Sequence, residues 1–526
     1  MANLSQEKRQ KMLNFLNKIR AEHQDDETRL AINEIENALT EKKYGLVWEE
    51  HTERVDEEIV HNIPIFTEDE DRKIKSVDNH DYNFLLEGDN LHSLKLLEKT
   101  HKGKIDVIYI DPPYNTGNKD FIYDDSFVDK DDSFKHSKWI SFMFERLKLA
   151  EKLLNEKGVI FISIDDKEQA QLKLLCDEIF GENNFITNIH WRRSESQNNN
   201  AKQIAVVGEF ILCYVKNKAT KLFNKIELQE TALKEYRYID EKTNKKFRRG
   251  TIVDNSRGKN IFKVISPTGI EKEIKSIRTK EFFDEANSKD MIYWTKTGTP
   301  YLKLFLDKSE GQISNNWFDN VGVNEDSSEL LKKLEIDFSF SKPVSLIEKL
   351  LKISGNENII VLDFFAGSGT TGHAVVQLNK EDGGNIKYIL CTNTENNICE
   401  EVTYQRLKKI QEELPHNLKY FRTEFIPKFD EDEEVSIKNK MLDHIKELIE
   451  LEYMCEIDGI NNILIKDEEE FDEIVNESMK ENIRLFVSSD IFASKEQQLI
   501  LEQKNIKKIE IPEYYYRSEL REVGEL

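Results

Sequence analysis

The chain has 526 residues, 38% of them hydrophobic, and a formal net charge of −24 at pH 7. This length allows roughly two to four domains. There is no apolar run of about 18 residues, so no transmembrane helix is expected. The chain begins with about 30 polar and charged residues, so no secretory signal is expected and a cytoplasmic location is predicted. The five scattered cysteines argue against a disulfide framework or a metal site and favour reduced, buried thiols.

The first 80 residues predict two amphipathic helices followed by an irregular acidic linker. Short apolar strands and amphipathic helices then alternate in two separate stretches, residues 81–216 and 336–420. The predicted strands lie at 83–86, 105–110, 159–164, 359–362 and 387–391, and the predicted helices at 91–99, 140–155 and 344–353. This alternation predicts an α/β fold with a parallel sheet that is covered by helices on both faces.

Two other stretches differ in charge. Residues 216–296 contain 20 Lys and Arg against 12 Asp and Glu, whereas residues 421–526 contain 14 against 28. Residues 421–526 also predict a helix at 437–454 and then a strand, a helix and a strand. Because DNA affinity depends on the patch that meets the phosphates, a basic segment within an acidic chain remains compatible with DNA binding. For either segment alone, a solvated charged face is an equally good interpretation.

The tetrapeptide Asp111-Pro112-Pro113-Tyr114 follows the predicted strand 105–110 directly. Ligands bind at the carboxyl ends of strands in open α/β sheets. A carboxylate, backbone carbonyls next to proline and a flat aromatic ring suit a planar base that carries an amino group. Asn115 then begins a turn that is predicted to close over a substrate and contact DNA.

A second loop follows the predicted strand 359–362 and has the pattern G-x-G-x-x-G, with glycines at 367, 369 and 372. This pattern brings backbone close to a ligand at a helix N-terminus. A ligand-free turn and an NAD site are alternatives. Asp363 puts a carboxylate where dinucleotide sites usually have an apolar residue, which favours an amine-bearing or cationic ligand. Glu395, beyond the strand 387–391, is predicted to hold ribose hydroxyls.

The Asp-Pro-Pro-Tyr tetrapeptide and the Phe-Ala-Gly-Ser-Gly segment at 365–369 together resemble the S-adenosylmethionine-dependent amino-methyltransferases of DNA. The tetrapeptide precedes the glycine loop, which resembles the permuted beta class, in which the insertion recognises the target. Segments 87–90, 115–117, 342–343 and 392–397 resemble the modification (Mod) subunit of type III restriction-modification systems. The resemblance covers roughly residues 80–415. It implies a Rossmann-like methyltransferase sheet, double-stranded DNA as substrate, a homodimer and a restriction subunit as partner.

The resemblance also implies a division of the chain and a role for each motif residue. The predicted parts are a helical N-terminal region (1–80), a catalytic half (81–216), a target-recognition domain (217–335), a cofactor half (336–420) and an acidic α/β domain (421–526). Asp111 and the Pro112 carbonyl would accept hydrogen bonds from the target amine, and Tyr114 would stack on the flipped base. The implied cofactor residues are Asp89, Lys342, Pro343, Asp363, Phe365, Ala366, Gly367, Ser368, Gly369, Thr370, Thr371 and Glu395.

Six cations are predicted to contact DNA, although an ordinary surface role is open for each alone. They are Arg192, Arg193, Arg248, Arg249, Arg257 and Lys259. In this family aspartate at position 111 goes more often with adenine N6 and serine with cytosine N4, so adenine is predicted. None of the nine prolines is followed by cysteine, which excludes carbon-5 cytosine methylation by a Pro-Cys thiolate.

The leading hypothesis is therefore a DNA adenine-N6 methyltransferase of the type III Mod class. A solitary adenine-N6 or cytosine-N4 methyltransferase, an NAD-dependent oxidoreductase and an inactive DNA-binding protein are the alternatives. The chain has no G-x-x-x-x-G-K-[ST] motif, so ATP-driven cleavage would need a separate subunit.

Overall fold

The computed structural model describes most residues from 53 onwards. The gaps lie at 118–120, 124–125, 129–131, 133, 196–202, 222, 356–357, 429–435, 477, 512–514, 523 and 525–526. Of the first 52 residues, only 13–16, 18–20, 28, 32, 48 and 51 are described. The two helices predicted within the first 40 residues therefore lie almost wholly outside the described residues.

The described chain contains strands and helices that alternate in the parts forming the central sheet, and runs of strands in the part between them. The strands are β1 (Asn62–Glu68), β2 (Ile74–Lys75), β3 (Asn83–Glu87), β4 (Ile105–Ile110), β5 (Ile122–Tyr123), β6 (Ser126–Phe127), β7 (Leu154–Ile164), β8 (Phe185–Arg192), β9 (Gly208–Val215), β10 (Lys225–Ile226), β11 (Tyr238–Ile239), β12 (Lys246–Thr251), β13 (Asn260–Ile265), β14 (Glu271–Ser276), β15 (Ile292–Trp294), β16 (Pro300–Phe305), β17 (Gln312–Ile313), β18 (Trp317–Phe318), β19 (Ile360–Asp363), β20 (Lys387–Thr392), β21 (Asn417–Pro427), β22 (Asn462–Ile465), β23 (Arg484–Ser488) and β24 (Lys507–Ile511). The α-helices are α1 (Arg54–His61), α2 (Asn90–His101), α3 (Lys135–Leu153), α4 (Gln169–Cys176), α5 (Glu230–Leu233), α6 (Lys280–Ser288), α7 (Asn324–Lys333), α8 (Val344–Ser354), α9 (Thr370–Asp382), α10 (Tyr404–Ile410), α11 (Ile437–Asp443), α12 (Ile445–Tyr453), α13 (Glu468–Ile474), α14 (Lys495–Gln503) and α15 (Arg517–Glu522).

A large sheet in the order β1-β21-β3-β20-β19-β4-β7-β9-β8-β18 forms the centre of the molecule, and β2 also pairs with β21. The six strands from β21 to β7 are parallel to one another. Along β4, Ile108 and Ile110 pack into the core on one face of the sheet, and Val107 and Tyr109 pack into the core on the other. This burial on both faces is why these strands read as continuous apolar runs. The α/β fold with a central parallel sheet is confirmed.

Two features of the sheet differ from the prediction. Strand β9 is antiparallel to β7, because the chain returns directly from β8 without a crossover helix. The segment predicted as an irregular linker before residue 80 contains α1 and β1, and β1 pairs antiparallel with β21. Ile63, Ile65 and Phe66 of β1 are buried, so a short apolar run within an acidic stretch is sufficient to extend the sheet.

Residues 217–335 form smaller antiparallel sheets. One has four strands in the order β11-β12-β16-β15, and two more pair β13 with β14 and β10 with β17. Helix α6 packs with Phe283 against Ile292 and Leu302 of the four-stranded sheet. Strand β18 lies at the edge of the central sheet, parallel to β8. The predicted insertion thus has its own core and remains attached to the central sheet at one edge.

The C-terminal segment contains a separate three-stranded parallel sheet, β22-β23-β24. The predicted strand–helix–strand unit corresponds to β23, α14 and β24, and the predicted helix at 437–454 is divided into α11 and α12. All five cysteines are buried and free, as predicted. None of the helices in the described part of the chain is both long enough and apolar enough to cross a bilayer.

Candidate active site

Two loops lie side by side at the carboxyl edge of the central sheet, because β4 and β19 are adjacent and parallel. Val361 pairs with Val107 and Leu362 with Ile108, so the two strands end close together. We call the segments that follow them the 111–117 loop and the 363–370 loop. The first contains the Asp-Pro-Pro-Tyr tetrapeptide and the second contains the glycines.

The carboxylate of Asp111 is bonded through both oxygens. Lys342 Nζ donates to Oδ2 at 2.7 Å, and the Tyr114 hydroxyl lies 2.9 Å from Oδ1. Burial raises the pKa of Asp111, and Lys342 opposes this shift. Burial works to lower the pKa of Lys342, but the carboxylates of Asp111 and Glu209 outweigh it and the pKa is raised. Each charge therefore compensates for the desolvation of the other.

Lys342 links the two loops. Its ammonium bonds Asp111, and its backbone carbonyl accepts a hydrogen bond from the Thr370 hydroxyl at 3.2 Å. Its side chain is only 7% exposed. The sequence predicted only that Lys342 lies beside the cofactor. In the structure, its ammonium also bonds Asp111, the carboxylate that is predicted to be catalytic.

Glu209 is a second buried carboxylate at this site, and sequence reasoning missed it. Its Oε2 lies 3.1 Å from the Tyr114 hydroxyl and 3.7 Å from Lys342 Nζ. Its Oε1 accepts a hydrogen bond from Arg193 at 2.8 Å. Glu209 is the sole charged residue of the apolar strand β9, and that isolation was the available signal. Arg193, predicted to contact DNA, is bonded to this carboxylate and so belongs to the charge network of the site.

The 111–117 loop is held from below by two side chains. Trp139 Nε1 donates to the Pro113 carbonyl at 2.7 Å. Asn115, at a φ of 56°, donates through its amide to Glu168 Oε1 at 2.6 Å and to the Lys135 carbonyl at 3.1 Å. The side chain of Asn115 is thus buried and bonded within the protein, and its contact with DNA stays a prediction.

The carbonyl oxygens of Pro112 and Pro113 differ in whether they already accept a hydrogen bond. In the described part of the chain, no donor is bonded to the Pro112 oxygen, whereas the Pro113 oxygen is occupied by Trp139. Pro112 and the tetrapeptide carboxylate therefore present the acceptors of this loop. Tyr114 lies beside them with Lys342 Nζ 5.1 Å from its ring centroid.

Asp363 closes the 363–370 loop from within. Its side chain accepts hydrogen bonds from the Phe365 N–H at 3.0 Å and from the Thr371 hydroxyl at 2.5 Å. Both donors are neutral, and burial raises the pKa of Asp363 to about 7. Asp363 is only 2% exposed and its side chain supports the loop, and its predicted role beside the cofactor stays a prediction.

The three glycines are required for different reasons. Gly367 and Gly369 have φ angles of 49° and 74°, in the left-handed region that side chains disfavour. A Cβ on Gly369 would also lie 3.1 Å from Thr403 Cγ2. A Cβ on Gly372 would lie 3.0 Å from Leu407 Cδ2, so this glycine permits close packing of α9 against α10.

A buried arginine lies beneath the glycine loop. The guanidinium of Arg406 on α10 is fully buried and donates through one nitrogen to Thr370 Oγ1 at 2.9 Å and Ser368 Oγ at 3.1 Å. Its second terminal nitrogen has no partner among the described residues. Ser341 Oγ lies 2.7 Å from Ser368 Oγ and ties the segment before Lys342 to the loop. Sequence reasoning missed Arg406 and Ser341, because neither belongs to a recognised motif.

The other predicted cofactor residues lie along the same edge of the sheet. Asp89 follows β3 and caps α2 by accepting the Leu91 N–H at 2.7 Å. Glu395 is exposed just beyond β20. Phe365 is half-buried with its ring centroid 5.9 Å from that of Phe142. The Ala366 N–H donates to the backbone carbonyl of Cys391, and Pro343 is buried just before α8. Asp89, Glu395 and Phe365 thus follow the ends of β3, β20 and β19, which are neighbours in the sheet.

The remaining predicted DNA contacts lie on separate surfaces. Arg192, at the end of β8, donates to the carbonyls of Ser194 and Glu195, and residues 196–202 of its loop lie outside the described residues. Lys259 is exposed, and exposed Arg257 is paired with Asp254 at 2.8 Å. Arg248 and Arg249, on β12, point to opposite faces of the four-stranded sheet.

This geometry defines a class of protein: an α/β sheet with a glycine loop and a strand-end Asp-Pro-Pro-Tyr loop in contact. The model of the DNA methylase family (N6_N4_Mtase) matches residues 105–405, which include both loops and the insertion. The match covers more than half of the chain. The chain belongs to the DNA methylase family.

Curated relatives align over about two thirds of this chain. The StyLTI Mod subunit of a type III restriction-modification enzyme, from Salmonella typhimurium strain LT2, is 34% identical over 385 residues, covering 67% of this chain and 59% of the relative. The type II methyltransferase M.KpnI of Klebsiella pneumoniae is 32% identical over 401 residues, covering 69% and 95%. The EcoPI Mod subunit of Escherichia phage P1 is 31% identical over 415 residues, covering 66% and 63%. The aligned part thus spans less than two thirds of the length of these Mod subunits.

Proposed function

We propose that this protein is a site-specific DNA methyltransferase that transfers a methyl group from S-adenosylmethionine to adenine N6. The observation that carries the proposal is the contact between the two loops through Lys342, which bonds Asp111 and the glycine loop together. One half of the site thus presents acceptors for an amine, and the other presents backbone to a nucleoside cofactor.

The residues of the glycine loop fit the cofactor. Left-handed glycines at 367 and 369 allow backbone to approach a ligand at the start of α9. Arg406 adds a buried positive charge beneath the loop, which suits the carboxylate of an amino-acid moiety. Glu395 is exposed beyond the next strand, where a carboxylate accepts ribose hydroxyls. Bound S-adenosylmethionine supplies a methyl group that its sulfonium already activates.

The acceptors of the 111–117 loop suit an exocyclic amine. The lone pair of such an amine is delocalised into the ring, so the nitrogen is a poor nucleophile. Hydrogen bonds from its two N–H groups to the Asp111 carboxylate and the Pro112 carbonyl favour a pyramidal nitrogen and stabilise the positive charge that develops. Each carboxylate oxygen has a second lone pair, so Asp111 can accept from the amine while it remains bonded to Lys342 or Tyr114.

Base flipping brings the amine to this loop. Extrusion of a base costs a few kcal/mol, and stacking on the Tyr114 ring offsets part of that cost. The ring is positioned for this by its hydroxyl, which lies within hydrogen-bonding distance of Asp111 and Glu209. Positioning for in-line transfer then supplies most of the catalysis.

We further propose that the protein is the modification and recognition subunit of a type III system in the cytoplasm. Residues 217–335 recognise the target, the protein forms a homodimer, and a restriction subunit with ATPase and nuclease activity is its partner. Support comes from the Mod subunits among the relatives and from the insertion between the two halves of the site. The type II relative supports the solitary enzyme as the second candidate.

Transfer of tritium from labelled S-adenosylmethionine to unmethylated duplex DNA tests the activity. We expect transfer, with N6-methyladenine as the product nucleoside, and loss of transfer in Asp111→Ala with the fold intact. N4-methylcytosine would overturn the choice of base, and absence of transfer to any DNA would overturn the enzyme. Thermal stabilisation by NADH and not by S-adenosylmethionine would favour the oxidoreductase instead.

A further inference from the structure

Arg249 is held between two tyrosine rings on the four-stranded sheet of the insertion. Its guanidinium carbon lies 4.7 Å from the ring centroid of Tyr238 and 4.9 Å from that of Tyr301. The strand register produces this arrangement. Phe247, Arg249 and Thr251 share one face of β12, with Tyr238 opposite Phe247 and Tyr301 opposite Thr251. The two rings therefore flank Arg249 along the strand.

Among the residues that the structure describes, no carboxylate, carbonyl or hydroxyl accepts a hydrogen bond from the guanidinium of Arg249. Lys303 lies opposite Arg249 on the same face and is fully engaged, since it bonds Asp240 at 2.6 Å and lies 3.5 Å from Asp290. Of these two neighbouring cations, Lys303 is therefore paired with carboxylates, whereas the guanidinium of Arg249 is available to a ligand.

The surroundings of Arg249 match nucleic acid in charge. Residues 234–249 carry seven Lys and Arg against three Asp and Glu. The opposite face of the sheet packs against α6, whereas the face with Arg249 presents the half-buried rings of Tyr238, Tyr293 and Tyr301. Strands of β-ribbons and β-sheets are known to read the grooves of DNA.

The clamp selects a base edge over a phosphate. A phosphate contact requires only a cation within reach, and a flexible lysine side chain can supply that cation. Contact with two rings restricts the movement of the guanidinium, and its N–H groups have no partner among the described residues. That geometry matches the O6 and N7 acceptors of guanine, which arginine contacts through two parallel hydrogen bonds.

We propose that Arg249 reads a guanine in the major groove and fixes one position of the recognition sequence. The inference rests on the proposed function, because it requires that the protein methylate a defined DNA sequence. It goes beyond that function by assigning one base of the target to one side chain.

Single-molecule sequencing of DNA from cells that express the protein tests the assignment. We expect the wild-type recognition sequence to contain a guanine at which Arg249→Gln loses discrimination by roughly 10- to 100-fold, while methylation at the other positions stays selective. Arg249→Lys keeps the charge but not the fork, so it should relax the same position. A wild-type sequence without guanine, or unchanged fidelity in both variants, would overturn the inference.

Arg248→Gln is the matched control. Arg248 is the neighbouring residue on the opposite face, 3.3 Å from the Tyr236 hydroxyl and 3.7 Å from Glu235. The Arg248→Gln variant removes one positive charge, as Arg249→Gln does, and should leave the recognition sequence unchanged. Tyr238→Phe keeps the ring and should also preserve fidelity, whereas Tyr238→Ala should relax the position that Arg249 reads.

The salt dependence of DNA binding separates base contact from phosphate contact. Loss of a phosphate contact weakens binding to all sequences and reduces the salt slope by about one. We expect Arg249→Gln to weaken binding to the recognition sequence and to leave the slope on unrelated DNA unchanged. Equal weakening on all DNA with a reduced slope would assign Arg249 to a phosphate. Failure of the wild-type protein to methylate any DNA would instead refute the proposed function.

Discussion

Asp111 and Asp363 end neighbouring parallel strands, yet the fold surrounds them differently. Asp111 is bonded to the ammonium of Lys342, whereas Asp363 is bonded to a backbone N–H and a hydroxyl. Burial raises the pKa of both carboxyls, but only Asp111 has a cation to oppose the shift. The difference is consistent with the proposed role of Asp111 as a charged acceptor, whereas the bonds of Asp363 stay within its own loop and the helix that follows.

Removal of the Asp111 charge should have the largest effect. Asp111→Asn removes an acceptor that stabilises developing positive charge, and we expect the methyl-transfer rate to fall by about 10²–10³-fold or more. Binding of S-adenosylmethionine, measured by calorimetry, should persist because the glycine loop is untouched. Asp106→Asn alters a carboxylate at the opposite end of the same strand and should leave the rate unchanged. Equal rates for both variants would remove Asp111 from the mechanism.

Removal of the Lys342 ammonium should lower the free energy of unfolding and change the pH dependence of the methyl-transfer rate. Lys342→Gln leaves a desolvated carboxylate without its cation, and breaking a buried pair typically costs about 3–5 kcal/mol. The pKa of Asp111 should rise further, so the acid limb of the pH–rate profile should move to higher pH. Single-turnover rates between pH 5 and 9 measure this shift. An unmoved acid limb would mean that Asp111 is not the group that titrates.

Asp363 should make stability depend on pH in a defined direction. Its folded pKa of about 7 exceeds the ordinary value of 3.8, so the native state binds more protons between these values. Its contribution is therefore complete below pH 3.8 and is lost as pH rises through 7, amounting to at most about 4 kcal/mol. Asp363→Asn removes this titration. We expect its unfolding midpoint in denaturant to fall less than that of the wild type between pH 5 and 8; parallel curves would contradict the assignment.

The two left-handed glycines provide the smallest and most finely matched test. Gly369→Ala combines an unfavourable φ with contact to Thr403, whereas Gly367→Ala has the unfavourable φ alone, its nearest neighbour being 3.5 Å away. We expect the free energy of unfolding to fall by about 1–2 kcal/mol in both variants, and by more in Gly369→Ala. Thermal unfolding and cofactor affinity measured together check the order. A larger loss of cofactor affinity in Gly367→Ala than in Gly369→Ala would show that ligand contact, and not backbone strain, dominates at Gly367.

Much of the fold was predictable from local patterns. The bounds of β4 and α8 agree with the predicted elements at 105–110 and 344–353 to within about one residue, because each element buries a continuous stripe or strand. The edge strand β1 and the antiparallel direction of β9 were not predictable, because sheet edges depend on partners distant in sequence. The same limit applies to Arg193 and Asn115, whose partners Glu209 and Glu168 lie 16 and 53 residues away.

The sequence by itself determined the two motifs, the order in which they occur and the α/β alternation, because each depends on neighbours along the chain. Only the tertiary structure decided which charges meet. Lys342 reaches Asp111 across 231 residues, Glu209 joins them from β9, and Arg249 lies between rings from two other strands. The physical reason is that an ion pair or a stacked cation depends on distance and desolvation, and folding alone sets both.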